Sequence, residues 1–247
     1  MDILLAVDIG NTNIGFGVFR GNRLIKRFDI PSGEYTFQGL ERYLNKLTID
    51  KGIICSVVPK ASGILRDDLK RILHKEPYCL GEDVRVPVNN LYRNPKQVGQ
   101  DRLVNAYAGI MLYGAPLVIV DFGTAITLDV ISKNKEYLGG LILPGLELSL
   151  TALAQRAALL PRVRLSKPRE LIGRDTQSSI LSGVVYGSGV LADVLIKQIK
   201  KELVYPRLKV IGTGGDIALI KSLLKEVKVI DLNLTLKGLS LIAQKLS

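Results

Sequence analysis

Tryptophan is absent from this sequence, histidine occurs once (His74) and cysteine twice (Cys55 and Cys79). A structural zinc centre needs four His or Cys ligands, and a Ser-His-Asp triad needs a histidine next to a nucleophile. His74 is followed by Lys75-Glu76 and the two cysteines have no metal-type spacing, so both chemistries are excluded. Cys55 lies in an apolar run and reads as core. Acid–base work must therefore fall on carboxylates, and nothing in the cysteine usage points to an oxidising compartment. Low-complexity blocks are missing, which argues against disorder. No Gly-x-x-x-x-Gly-Lys-Ser/Thr loop is present, which removes a Walker-type ATPase. The longest uncharged run, 17 residues between Asp175 and Asp193, is rich in Ser and Gly and short for a bilayer span. Met1-Asp2 and the five apolar residues after it do not make a signal peptide. These absences predict a soluble, cytoplasmic protein without a membrane partner.

Anionic residues are in deficit: 34 Lys and Arg face 23 Asp and Glu, a formal charge of +11. The cations are spread along the chain, and neither a helix-turn-helix nor an aromatic-basic stacking pattern appears, so no nucleic-acid partner is expected. Positive potential around an anionic nucleotide and a carboxylate substrate accounts for the charge.

With 47% apolar residues in 247, the chain can bury a substantial core as one large or two small domains. Its organising stretch is Leu4 to Phe19, an apolar run ending on Asp8, a Gly10-Asn11-Thr12 turn, and a resumed apolar alternation. The pattern predicts strand, tight turn, strand, with Gly10 and Asn11 able to take a positive φ. Such a turn offers backbone N–H groups, a hydroxyl and an amide beside an acid, the equipment for cradling a polyphosphate while Asp8 holds a hydrated Mg²⁺. The pattern recurs at Val118 to Leu128, where Asp121-Phe122-Gly123-Thr124 repeats it 113 residues after Asp8. Two copies predict duplicated domains, 1–114 and 115–247, each presenting an acid-bearing hairpin to a shared cleft.

Further along, Gly21-Asn22 and Arg23 to Ile30 complete a three-strand meander. A helix is expected through Phe37 to Leu47, a buried strand over Ile53 to Val58, and a helix through Ile64 to Leu73. Between Val84 and Gln100 the pattern is lost to turn chemistry around Tyr92 and Arg93, a length of loop that tends to be functional. It ends in Gly99-Gln100-Asp101-Arg102 before a helix, with Asp101 as N-cap or first-turn residue. Arg102 in a first turn opposes the helix dipole, which calls for an anionic partner. The second half again places three strands before helices, expected over Leu146 to Leu160 and from Thr176 to about Tyr205. Ser179, Gly183 and Gly187 stand four apart on one helix face and predict a close helix–helix seam, of a kind that a second subunit can form. Lys209 to Asp216 reads as strand, glycine-rich turn and helix, a candidate phosphate-facing wall. Gly187-Ser188-Gly189 lies inside a helix and is no dinucleotide fingerprint.

Five motifs stand in order: Asp8-x-Gly10-Asn11-Thr12, Gly99-x-Asp101-Arg102, Asp121-x-Gly123-Thr124-Ala125, Gly139-Gly140-x-Ile142-x-Pro144-Gly145 and Gly212-Thr213-Gly214-Gly215. Together they resemble the type III pantothenate kinase family, a branch of the superfamily of actin, sugar kinases and heat-shock chaperones. The resemblance implies an α/β fold of two ribonuclease H-like (actin-like ATPase) domains, each a mixed sheet of a three-stranded meander plus further strands with flanking helices, and a homodimer. It implies ATP-dependent phosphorylation of pantothenate, with Mg²⁺ and a monovalent cation, K⁺ or NH₄⁺. Carried onto this sequence, Asp101 resembles the proton acceptor. Asp8, Ile9, Gly10, Asn11, Thr12, Asn13, Ile14 and Gly15 resemble the ATP-phosphate hairpin, with Thr124 a further ATP contact. Asp121 matches the monovalent-cation position. Tyr92, Gly99, Gln100, Asp101, Arg102 and Thr176 fall where the family binds pantothenate. Another small-molecule alcohol kinase and a non-catalytic transcription accessory factor are the competing readings.

Overall fold

The computed structural model describes residues 2–45 and 47–246. The chain divides into two units, Met1–Leu112 with Asn233–Ser247, and Tyr113–Leu232. In the first, β1 (Ile3–Ile9), β2 (Asn13–Arg20) and β3 (Arg23–Pro31) form an antiparallel meander. There follow α1 (Phe37–Leu44), β4 (Lys51–Ser56), α2 (Pro59–Leu73), β5 (Tyr78–Cys79), the two-residue β6 (Asn89–Asn90) and α3 (Gln100–Tyr113). Strand β4 pairs in parallel with β1, and β5 in parallel with β4, giving the order β3-β2-β1-β4-β5.

The second unit repeats the plan. The meander β7 (Leu117–Phe122), β8 (Ala125–Ile131) and β9 (Glu136–Pro144) precedes α4 (Leu146–Arg156), α5 (Thr176–Glu202), β10 (Lys209–Thr213), α6 (Ile217–Ile220) and β11 (Val229–Ile230). Its strands run β11-β10-β7-β8-β9, the same order read from the other edge. Two mixed sheets of one topology are what the repeated Asp-x-Gly hairpin anticipates.

The central strands β1 and β7 are covered on both faces, which is why Leu4 to Val7 and Leu117 to Val120 are continuous apolar runs rather than alternating ones. On one face of the first sheet, Leu5, Val7, Ile9, Ile14, Phe16 and Val18 pack with Leu40 and Leu44 of α1 and Leu65 and Leu69 of α2. In the second, Val118, Val120, Phe122, Ile126 and Leu128 pack with Val185, Ala192 and Ile196 of α5. Each such side chain contributes about 1.5–3 kcal/mol. The two-residue period of a strand then turns Asp8 and Asp121 to the opposite face, away from these cores.

That opposite face of the first sheet receives the last helix, α7 (Leu234–Ala243), which packs on β1, β2 and β4. A Cβ at Gly17 would stand 3.3 Å from Leu236 Cδ1, and one at Gly238 would stand 2.7 Å from Val104 Cγ1, so both glycines permit the approach. The chain thus returns to its first unit after residue 232, a path different from the division at 114/115.

Several boundaries differ from expectation. Helix α1 stops at Leu44 and α4 at Arg156, short of Leu47 and Leu160. Pro161 disfavours helix in the residue before it, which helps to stop α4. Pro59 opens α2 instead of closing a strand, in keeping with its missing N–H at a first-turn position. His74 ends α2 in the left-handed conformation (φ 54°), so the single histidine is a helix cap. Helix α5 is 27 residues long and, by length and composition alone, long and apolar enough to cross a membrane, although 33% of its most apolar window is buried in the protein. The uncharged run by itself understated this.

Candidate active site

The first hairpin is closed by the Gly10 N–H donating to Asn13 O at 3.0 Å, with Asp8 opposite Gly15 across the strands. Neither Gly10 nor Asn11 takes a positive φ, contrary to expectation. Crowding bears on Gly10 instead, since a Cβ there would lie 3.0 Å from Asn13 O. Ser32 clamps the turn from the end of β3: its N–H donates to Thr12 O at 2.9 Å and its hydroxyl to Gly10 O at 3.0 Å. Ile9 and Ile14 anchor the loop in the core, while Asn11, Thr12 and Asn13 are exposed. The result is a rigid turn that presents amide and hydroxyl donors to solvent beside a carboxylate. Gly15 leaves the strand bare opposite Asp8, and Asp29 Oδ1 comes within 3.3 Å of where its Cβ would be.

Asp101 and Arg102 occupy the first turn of α3, so Asp101 is not the N-cap. Asp101 Oδ1 is buried without a hydrogen-bond partner among the described residues. Burial pushes its carboxyl above the usual carboxylate range, although the Arg102 backbone N–H and guanidinium and its own N–H favour the charged form. A Cβ at Gly99 would lie 2.4 Å from this oxygen, so the glycine makes the carboxylate's room. Gln100 packs its side chain 3.2 Å from the position of a Cβ on Gly81. Arg102 is buried, an environment in which a guanidinium needs anionic or hydrogen-bonding company.

Cys55 stands beside Asp8 in the parallel β1–β4 register and is fully buried. Its thiol is pushed well up, first by burial and then by the charges of Asp8 and Asp101. The structure therefore brings Asp8 and Asp101 to one neighbourhood, around a thiol that stays protonated. Cys79, pushed up to about 11 by burial, is equally inert as a nucleophile.

In the second unit, Asp121 is flanked by Thr127 across β8 and by Thr213 along β10. The hairpin is tighter here, with the Gly123 N–H donating to Ala125 O at 3.2 Å and the Gly145 N–H to Thr124 O at 3.1 Å. Gly214 has φ +97°, and a Cβ on it would lie 2.5 Å from Asp121 Oδ1 and 2.4 Å from Phe122 O. The Asp216 N–H donates to Phe122 O at 3.0 Å, and the Asp216 carboxyl is raised by burial and then by Glu147. The expected helix after this turn, α6, has four residues, too few for a useful dipole. Gly214 therefore serves close approach to Asp121, whereas Gly212 admits Ile217 and Val227, and a Cβ on Gly215 would meet nothing within 4 Å. Thr124 is exposed at its hairpin tip.

Tyr92 is half-buried, its N–H donating to Asn90 Oδ1 at 3.0 Å. Thr176 is exposed at the first position of α5, within the Asp175–Ser178 capping box. Sequence reasoning passed over Asp29, Asp129 and Glu147, while Cys55 proves to be the core residue it suggested. Only strand register, which no local pattern announces, sets most of them beside the motif residues.

The donors present suit the groups that the chemistry requires. A bare strand position beside Asp8 and an exposed set of amide and hydroxyl donors fit a hydrated Mg²⁺ and phosphate oxygens. At Asp121, a carboxylate oxygen and a carbonyl oxygen border a cradle that a single Cβ on Gly214 would fill, a hard-oxygen set fit for a potassium-sized or ammonium ion.

Two mixed sheets of this topology and their flanking helices place the chain in the fold class of the actin-like and sugar kinases. A solved protein from Campylobacter jejuni, described as a conserved putative Baf family transcriptional activator, superposes with TM-score 0.59 at 22% identity over 98% of both chains. An inorganic polyphosphate/ATP-glucomannokinase from Arthrobacter superposes with TM-score 0.51 at 13% identity over 99% of this chain and 100% of that one. The family profile described as type III pantothenate kinase matches residues 4–198. Type III pantothenate kinases of Desulforapulum autotrophicum (40% identical, 98% of this chain and 97% of that one) and Finegoldia magna (41%, 98% and 97%) match along almost their whole length. The chain belongs to the type III pantothenate kinase family.

Proposed function

We infer that this protein transfers the γ-phosphoryl group of ATP to the primary hydroxyl of pantothenate, giving 4'-phosphopantothenate and ADP, the first step of coenzyme A synthesis. The observation that carries the reading is the family match over residues 4–198, within which four of the five motifs stand in order, the fifth following at 212–215. Phosphoryl transfer asks little covalent work of a protein; it needs a held nucleophile and neutralised charge. The hairpin from Asp8 to Gly15 holds phosphate oxygens through backbone N–H groups, Asn11, Thr12 and Asn13, and Thr124 adds a second ATP contact. Asp8 would hold Mg²⁺, whose charge would neutralise the phosphates. Asp101 accepts the hydroxyl proton as the new O–P bond forms and the β,γ-bridging bond breaks, with its electron pair leaving on ADP. Arg102 pairs with the pantothenate carboxylate, whose two oxygens its planar guanidinium can hold, and Gly99, Gln100, Tyr92 and Thr176 border that substrate. Asp121 binds the monovalent cation.

An assay with ATP, Mg²⁺ and pantothenate in potassium or ammonium buffer, against the same assay with sodium as the only monovalent cation, tests both substrate and cation. Full activity in sodium removes the role of Asp121. A panel of other hydroxyl substrates separates this reading from a sugar or other alcohol kinase.

The homodimer rests on the outer face of α5. Gly183 and Gly187 are exposed, with nothing within 4 Å of where a Cβ on either would stand, and Val190, Leu191 and Val194 continue that face, each about half exposed. A second copy brought to this stripe would cover it at short backbone distance. Light scattering at micromolar concentration is expected to give twice the 27.0 kDa chain mass; a monomer there contradicts the dimer. A cytoplasmic location accords with the substrates.

A further inference from the structure

Behind Asp121 lies a polar network that the kinase mechanism above does not use. Thr127 faces Asp121 directly across the β7–β8 pair, so their Cβ atoms stand about 4.5–5.5 Å apart on one face of the sheet. The Thr127 hydroxyl donates to Asp129 Oδ2 at 3.1 Å, and the Tyr137 hydroxyl donates to Asp129 Oδ1 at 2.8 Å. Asp129 and Tyr137 are both wholly buried, whereas Thr127 is half-buried. A carboxylate can only accept, so each hydroxyl proton in this network is directed at Asp129. With its proton committed, the Thr127 oxygen has only lone pairs left to offer on the side of Asp121. It cannot donate to a phosphate oxygen. It can receive a bare cation or an N–H of ammonium.

We propose that Thr127 Oγ1 is a further ligand of the monovalent cation at Asp121, a reading that rests on the assignment of the cation to Asp121 and deepens it, and that Asp129 and Tyr137 are positioning residues that hold its hydroxyl as an acceptor. Burying a carboxylate is costly, and one held by a hydroxyl of its own strand and one of the neighbouring strand is a strong orienting anchor. Such an arrangement would suit potassium and ammonium alike, since both bind through oxygen lone pairs.

The test uses the full chain and two readouts: the thermal shift produced by KCl against equimolar choline chloride, and the potassium concentration for half-maximal ADP formation with pantothenate. Thr127→Val, nearly isosteric, is expected to raise the potassium midpoint about ten- to a hundredfold in both, the usual cost of losing an oriented metal-site partner. Thr127→Ser restores the wild-type midpoint. Tyr137→Phe, which leaves Thr127 in place, raises the midpoint less, and its pantothenate KM stays at the wild-type value. A merely structural role for Thr127 would lower the melting temperature without moving the potassium midpoint. A wild-type midpoint in Thr127→Val overturns the proposal. The kinase reading fails separately: if potassium stabilises the wild-type protein but pantothenate yields no ADP, the substrate assignment falls and the cation ligand stands. ADP formation with no potassium response in either readout overturns the cation ligand and leaves the kinase.

Discussion

Asp101→Asn is expected to lower kcat by about a hundred- to ten-thousandfold, the range that a general base supplies, while the folded structure survives and is no less stable. The two halves of that expectation have one cause. Burial raises the Asp101 carboxyl, so the native protein holds its proton more tightly than the unfolded chain does. By linkage, this group's contribution to stability declines as pH rises from the ordinary carboxylate value through the raised one. The neutral isostere removes that cost together with the base. In the wild-type protein, kcat/KM should fall on acidification through the raised value, a higher pH than a free aspartate would give, and the variant should lose that limb. Thermal melts and a pH–rate profile of both proteins check it. Turnover within a few-fold of wild type would remove Asp101 as the proton acceptor.

Asp8→Asn carries the second large effect. The side chain lies on the sheet face away from the core and next to buried Cys55, so the substitution should spare the fold. The loss falls on charge neutralisation, where removing one positioned group costs about a hundred- to a thousandfold in kcat. The Mg²⁺ concentration needed for half-maximal rate should rise, while pantothenate affinity measured by calorimetry should not change. Unaltered Mg²⁺ dependence would take Asp8 out of the metal's surroundings.

These two aspartates illustrate how far the sequence carries. Asp8 was legible because a carboxylate at the end of an apolar strand, followed by a glycine turn, is a local pattern, and its recurrence at Asp121 exposed the duplication. The meanders were legible for the same reason: turn chemistry at Gly21-Asn22 and Lys133-Asn134 interrupts clear strand runs. Asp101 could be placed at a helix start, but not beside Asp8. Both carboxylates lie near Cys55, which the parallel pairing of β4 with β1 sets beside Asp8, a pairing that no neighbouring residue announces.

The return of α7 to the first unit was hidden for a related reason. An apolar helix advertises that it must be covered, not which sheet covers it; Gly17 and Gly238, which admit it, read in isolation as ordinary strand and helix glycines. The glycine turn at residues 212–215 misled in the other direction. Its pattern is that of a phosphate-binding helix start, yet α6 ends after four residues, and the positive φ of Gly214 serves the approach to Asp121. The Thr127–Asp129–Tyr137 network left no trace in composition, because an aspartate on an alternating strand looks solvent-facing until its neighbours are known.

One measurement bears most directly on the whole account: incubation of the purified chain with ATP, Mg²⁺, potassium and pantothenate, followed by mass analysis of the products. The account requires a pantothenate-dependent product heavier by one phosphoryl group, with one ADP formed per product. ADP formation indifferent to pantothenate, or none at all under these conditions, would contradict it.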